Sequence, residues 1–186
     1  DVFNHVAGKL CIFRDVTVER DLEKQIRHSS NTDFLTGLYN RRCFYQYIHN
    51  NRGGRTVSLM YIDLDRFKEV NDTYGHKVGD AVLVHTADVL RRLFRDDFVA
   101  RLGGDEFLVV RLGKCSMDQM EQEAEAFLKE MRTAFLAAEQ TVSLSASVGI
   151  AQSSDSMVDI DALLQRSDQA LYQAKKAGRS RYCVYR

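Results

Sequence analysis

The chain has no proline and no tryptophan among its 186 residues, and no excess of either charge: 26 Lys and Arg stand against 26 Asp and Glu. Each shortage excludes something. With no proline, none of the expected helices or strands is broken by one. With no basic excess, the cationic stripe of a nucleic-acid binder is missing, and no nucleic-acid partner is expected. The four cysteines, Cys11, Cys43, Cys115 and Cys183, are scattered without a CxxC pair. That argues against a zinc ribbon or a disulfide frame and for free thiols in a reducing compartment. No apolar run nears the roughly 20 residues that span a bilayer, and no signal peptide opens the chain. The expectation is a cytoplasmic fragment without direct membrane contact, any anchor lying upstream. What is present is ordinary core material, 45% apolar and 28% charged, enough for one globular domain plus a short extra segment.

The chain is organised around Arg101-Leu102-Gly103-Gly104-Asp105-Glu106-Phe107. Apolar runs over 97–102 and 107–110 flank the paired glycines, which supply the positive φ angles of a tight hairpin turn. Two acids follow at the mouth of a strand, beside a turn with no side chains to block a ligand. Adjacent carboxylates are hard oxygen ligands for Mg²⁺. A solvated hairpin tip is the plain alternative, since Gly-Gly-Asp is also ordinary turn chemistry.

Ahead of that hairpin, residues 1–14 carry strand character in Gly8-Lys-Leu-Cys-Ile-Phe-Arg but are too short to fold alone. Val18, Leu22 and Ile26 then make a narrow helical stripe among charges, a width suited to pairing with a copy of itself, or to a solvated connector. Turn formers over 31–40 break that pattern into a structured opening loop. Asn40 can cap a helix over 41–50 that turns Phe44, Tyr47 and Ile48 inward. A strand over 56–65 is apolar on both faces near its end and belongs in the middle of a sheet. A short helix over 66–75 follows, then a longer one over 79–94 with Val82, Leu83, Ala87, Leu90 and Leu93 on one face. After the hairpin come a helix over 117–138 capped by Ser116 and burying Phe135, and a strand over 141–151 with one wet face. A helix over 159–177 and a closing strand over 181–185 end the chain. The fold class is α+β, in the order β-α-α-β-β-α-β-α-β. Its central five-stranded sheet is mixed, mostly antiparallel, with flanking helices, as in ferredoxin-like folds.

If the strand ending at Asp63 pairs with the one beginning at Asp105 and Glu106, three carboxylates meet at one end of the sheet. Like charges that close are costly unless a cation neutralises them. Three acids with no cysteine or histidine cluster beside them favour Mg²⁺ or Mn²⁺ over zinc. Two such ions clamp the attacking and leaving oxygens of phosphoryl or nucleotidyl transfer. Lys175 and Arg179, four apart on the last predicted helix, share a face that suits phosphates, or else form a solvated basic face.

These segments resemble the GGDEF family of diguanylate cyclases. Besides the Gly103-Gly104-Asp105-Glu106-Phe107 signature, Asp33-Phe-Leu-Thr-Gly-Leu-Tyr-Asn-Arg-Arg is similar to the family's DxLTGLxNRR block. The run from Tyr61 to His76 resembles its metal and guanine segment. Ser147-Val-Gly-Ile-Ala and the run from Asp168 to Arg179 resemble its C-terminal blocks. The resemblance covers residues 33–186 and implies a nucleotide-cyclase-like fold. Residues 1–14 resemble the end of a PAS sensor domain, with a signalling helix over 15–32 linking it to the rest.

The resemblance implies condensation of two GTP molecules into cyclic di-GMP with release of two pyrophosphates, across a homodimer in which each chain holds one GTP. Two Mg²⁺ or Mn²⁺ ions per site would be held by Asp63, the Leu64 carbonyl, Asp105 and Glu106. Asp63, Asp105 and Glu106 would be the catalytic residues, with either Asp105 or Glu106 taking the proton. Phe67 and Lys68 at a helix start, with Lys175 and Arg179, would receive phosphates. Asn71 and Asp80 would read guanine, His76 would touch substrate, and Gly103 and Gly104 would leave room for it. The alternative is a catalytically silent GGDEF domain that holds GTP or a partner for regulation. Two departures stand out. The family's RxxD product-inhibition site reads Phe94-Arg95-Asp96-Asp97 here, so feedback at that site is expected to be missing. Ser180 replaces a usual asparagine, which is expected to alter local turn bonding more than catalysis.

Overall fold

The computed structural model describes residues 31–153 and 159–186. Residues 1–30, on which the PAS-like end and nearly all of the linker helix fall, lie outside the described residues. The elements are β1 (Tyr39–Asn40), α1 (Arg41–Asn51), β2 (Val57–Leu64), α2 (Phe67–Tyr74), α3 (His76–Leu93), β3 (Phe98–Gly103), β4 (Glu106–Leu112), α4 (Met117–Met131), β5 (Phe135–Ala137), β6 (Gln140–Val142), β7 (Ala146–Gln152), α5 (Ile160–Lys176) and β8 (Tyr182–Val184).

The main sheet runs β1-β3-β4-β2-β7-β8. Its inner pairs are antiparallel and its two outermost pairs parallel. It is mixed, as expected, but has six strands rather than five. The addition is β1, two residues paired beside β3 within what reads as a loop, too short to show a period of its own. β2 lies at the centre, and its apolar residues feed two half-cores, one on each face of the sheet. Met60, Ile62 and Leu64 pack with residues of α3 and α4, while Val57 and Leu59 pack with Phe44 and Ile48 of α1 and Leu163 of α5.

Three expectations are corrected. The strand over 141–151 starts only at Ala146, and β7 has no wet face, because helices cover both of its sides. α5 crosses it so closely that a Cβ on Gly149 would lie 2.0 Å from the Ser167 carbonyl oxygen and 2.3 Å from the Leu171 nitrogen. Only glycine admits a helix at that height. The helix over 117–138 ends at Met131, because residues 135–142 leave it for the separate β5–β6 hairpin. Apolar spacing continues from Met131 to Phe135, so periodicity could not mark the stop; Phe135 is half-buried on β5. α3 begins at His76, and Leu93 is 36% exposed while Phe94, one residue on, takes the buried place. The helix caps fall where the sequence suggests: Asn40 accepts from the Cys43 N–H at 3.0 Å, and Ser116 from the Gln119 N–H at 3.2 Å.

Candidate active site

The β2–β4 register sets Asp63 directly opposite Glu106, and the Leu64 N–H donates to the Asp105 carbonyl at 3.3 Å. The end of β2 is thereby brought to the Gly103–Gly104 turn. Both glycines have positive φ, 148° and 51°, and a Cβ on either would meet nothing within 4 Å, so the turn borders open space. Arg101 ties this turn down. Its Nε and Nη2 donate to the Gly104 carbonyl at 2.9 and 2.7 Å, and its Nη1 to Asp33 Oδ1 at 2.9 Å.

Asp63, Asp105 and Glu106 are neighbours at one end of the sheet, but they do not close into a finished cage. Among the described residues no group of three or more His, Cys, Asp or Glu is placed to hold a metal ion. Their chemistry fits Mg²⁺ or Mn²⁺, since all three offer carboxylate oxygens with no thiolate or imidazole beside them. Their electrostatics fit as well. Burial pushes the Asp63 carboxyl above its ordinary range; Lys175 pulls it down, but the charges of Asp105 and Glu106 add to the rise. Lys175 Nζ lies 2.8 Å from Asp63 Oδ2.

α5 carries Lys175 but ends at Lys176, so Arg179 does not share its helix face. Gly178, at φ 112°, stops the helix, and Arg179 sits past it at φ 62° with its N–H on the Ala174 carbonyl at 3.1 Å. Beyond Leu64, α2 begins after Arg66, which is left-handed at φ 57° and provides no side-chain cap. Phe67 is half-buried and Lys68 exposed. Asn71 lies against α3, where a Cβ on Gly79 would come within 1.9 Å of Asn71 Oδ1, so Asn71 sits beside the residue that precedes Asp80. Asp80 and His76 are exposed near the start of α3.

Sequence reasoning gave no part to Tyr61, Asp65 or Arg101. Tyr61 stands near Glu106, and burial, with the charge of that acid adding to it, pushes its hydroxyl above the ordinary range. It lies two residues before Asp63 and so on the same strand face, the one signal that pointed to it. Asp65 is buried and bonded to Ser145 and Ser147. Asp97, the part of the RxxD pattern that this chain keeps, accepts from Arg111 Nε at 2.8 Å, and Phe94 is buried. Among the described residues no helix is long and apolar enough to cross a membrane.

Fold and site together define a nucleotide-cyclase-like α+β domain with acids set around a glycine turn. The chain belongs to the GGDEF family: the profile described as "Diguanylate cyclase, GGDEF domain" matches residues 30–181. The diguanylate cyclase DgcM of Escherichia coli K12 is 37% identical over 178 residues, covering 92% of this chain and 42% of that protein. The cyclic di-GMP phosphodiesterase PdeR of the same strain is 38% identical over 180 residues, covering 95% of this chain and 27% of that protein. The chain thus spans less than half the length of these relatives. The coiled coil and GGDEF domain of DgcB from Caulobacter crescentus, solved with c-di-GMP, matches at a TM-score of 0.84 and 28% identity, over 91% of this chain and 93% of that one.

Proposed function

We propose that this domain is an active diguanylate cyclase, condensing two GTP into cyclic di-GMP and two pyrophosphates across a homodimer. The observation that carries the reading is the register that sets Asp63 against Glu106, with Asp105 at the adjoining turn. In each half-reaction a 3′-oxygen forms a bond to the α-phosphorus of the other GTP, the bond from that phosphorus to the bridging oxygen breaks, and pyrophosphate leaves. Asp105 or Glu106 takes the proton of the 3′-hydroxyl. Two Mg²⁺ or Mn²⁺ ions, when held by Asp63, Asp105, Glu106 and the Leu64 carbonyl, would neutralise charge on the phosphates. The amides of Phe67 and Lys68 at the uncapped start of α2, the Lys68 ammonium, and Lys175 and Arg179 would bind the phosphates. Asn71 and Asp80 would accept and donate along the guanine edge, His76 would lie against the substrate, and Gly103 and Gly104 would clear its path. Adenine lacks the paired N–H donors that a carboxylate recognises, so this readout favours GTP over ATP.

A second reading, a silent domain that binds GTP for regulation, is favoured by one comparison: a relative at 38% identity bears the name of a phosphodiesterase. Incubation with GTP and Mg²⁺ followed by chromatography separates the two. Cyclic di-GMP and pyrophosphate in a 1:2 ratio are expected. No product from a protein shown to be dimeric would decide for the silent reading.

A further inference from the structure

Asp65 is 4% exposed and stands where the chain leaves β2, between Leu64 and the start of α2. Its hydrogen bonds are all internal. Oδ2 accepts from Ser145 Oγ at 2.6 Å and from the Ser180 N–H at 3.0 Å, and Oδ1 accepts from Ser147 Oγ at 2.7 Å. Its own N–H donates to the Ser145 carbonyl at 2.8 Å. One buried carboxylate therefore joins the β2–α2 turn, the start of β7 and the α5–β8 turn. Both turns hold left-handed residues that are not glycine: Arg66 at φ 57° in one, Arg179 at 62° and Ser180 at 50° in the other. Such conformations persist only where the surroundings hold them. Ser180, the position at which this chain departs from the family's asparagine, is held from its other side by Arg132, whose Nε donates to Ser180 Oγ at 2.9 Å.

We infer that Asp65 is a positioning residue for the polyphosphate. By fastening Ser180 to the β2–α2 turn, it keeps Arg179 in register with the Phe67 and Lys68 amides, so that two separate turns act as one cradle. Hydrogen bonds that join three segments at one buried side chain over-determine the turns and hold them in one geometry. The inference rests on reading this site as one for GTP.

The test measures binding of magnesium pyrophosphate, Mg·GTP and guanosine to the intact chain by calorimetry. Asp65→Ala is expected to weaken pyrophosphate and GTP about tenfold while leaving guanosine within about twofold. Asp65→Asn removes the charge but keeps an acceptor for the Ser180 N–H, and is expected to recover pyrophosphate binding to within about threefold of wild type. Arg132→Ala, at an exposed side chain outside the site, is expected to weaken pyrophosphate about threefold and to fold normally. If Asp65→Ala fails to fold, the other two variants decide. Asp65→Asn as defective as Asp65→Ala would show that charge matters and position does not, which overturns the inference. Equal loss of guanosine and pyrophosphate would do the same, by showing general collapse. GTP binding indifferent to every variant sinks the cradle and leaves the GTP reading standing. Asp65-dependent pyrophosphate binding without GTP binding does the reverse, and a wild type that binds neither ends both.

Discussion

Each end of the β2–β4 ladder carries acids around a cation, and the two knots differ in how much charge they leave over. At the Arg111 end, the guanidinium meets Asp97 at 2.8 Å, Glu123 Oε1 at 3.2 Å and Cys115 Sγ at 3.3 Å. The hydrogen bond from Arg111 to Asp97 holds the guanidinium well above its already high range. Asp97 and Arg111 side chains are 5% and 19% exposed. Only Glu123 Oε2 lacks an aligned hydrogen bond, and it still lies 3.0 Å from Arg111 Nη2. At the other end, Asp63, Asp105 and Glu106 cluster with Lys175 alone beside Asp63, and Asp63 is pushed up. Three acids share one cation here against two at the Arg111 end, and burial with the neighbouring acids pushes Asp63 up despite Lys175. A surplus of negative charge of that kind is what a cationic ligand relieves.

The largest expected effect comes from Asp63→Asn. It should lower cyclase turnover by about two orders of magnitude or more, the loss expected when several kcal/mol of charge stabilisation go. Its melting temperature should stay near wild type, because the residue replaced is itself held above its ordinary range. A variant that kept turnover would break the assignment of this end as the site. One that unfolded would make both ends structural.

Arg111→Ala should do the opposite. Removing the cation strands two largely buried carboxylates, and stability in urea should fall by about 2–3 kcal/mol, somewhat less than for a fully buried pair. Turnover per folded molecule should not change. A fall in turnover without loss of stability would dissolve the contrast.

Much of this contrast is legible in the sequence, for definite reasons. Asp63 stands at the end of an apolar run and Asp105 and Glu106 at the start of another, so pairing of the two strands was enough to bring them together. Asn71 and Lys175 were singled out by their place in the family's blocks, but the position of Asn71 beside Gly79 and the ion pair of Lys175 with Asp63 were not foreseen. The roles of Asp65, Arg101 and Arg111 come from partners 14 to 115 residues away, as in the Ser180–Asp65, Arg101–Asp33 and Arg111–Asp97 bonds. No local period encodes such distances. The β5–β6 hairpin was missed for a local reason, since the helical stripe of α4 runs on into it, and its turn uses Ala138 and Glu139 at positive φ in place of the usual glycine or asparagine.

A smaller effect lies in acid. Burial acts to raise the Asp33 carboxyl, but hydrogen bonds from the Thr36 N–H and hydroxyl and from Arg101 outweigh it and hold it below the ordinary range. The folded value is thus the lower of the two. The stability it contributes is complete above the unfolded carboxylate value of about 4 and is lost as pH falls through the folded one. The stability difference between wild type and Asp33→Asn should therefore be steady near neutrality and shrink below about pH 4. A difference constant throughout that range would mean that Arg101 anchors the glycine turn without help from Asp33.

The smallest effect is an expected absence. Asp97 is held by Arg111, and the position where many relatives carry the partner arginine is Phe94, 2% exposed in the core. An anionic product arriving there would have to displace a satisfied ion pair and would find an apolar ring where a cation is needed, so nothing repays the desolvation. Micromolar cyclic di-GMP should leave initial rates of pyrophosphate release unchanged. Inhibition in that range, with protection from hydrogen exchange appearing around Asp97, would show that the Arg111 end takes a ligand after all, and that a satisfied ion knot can open for a strong enough anion.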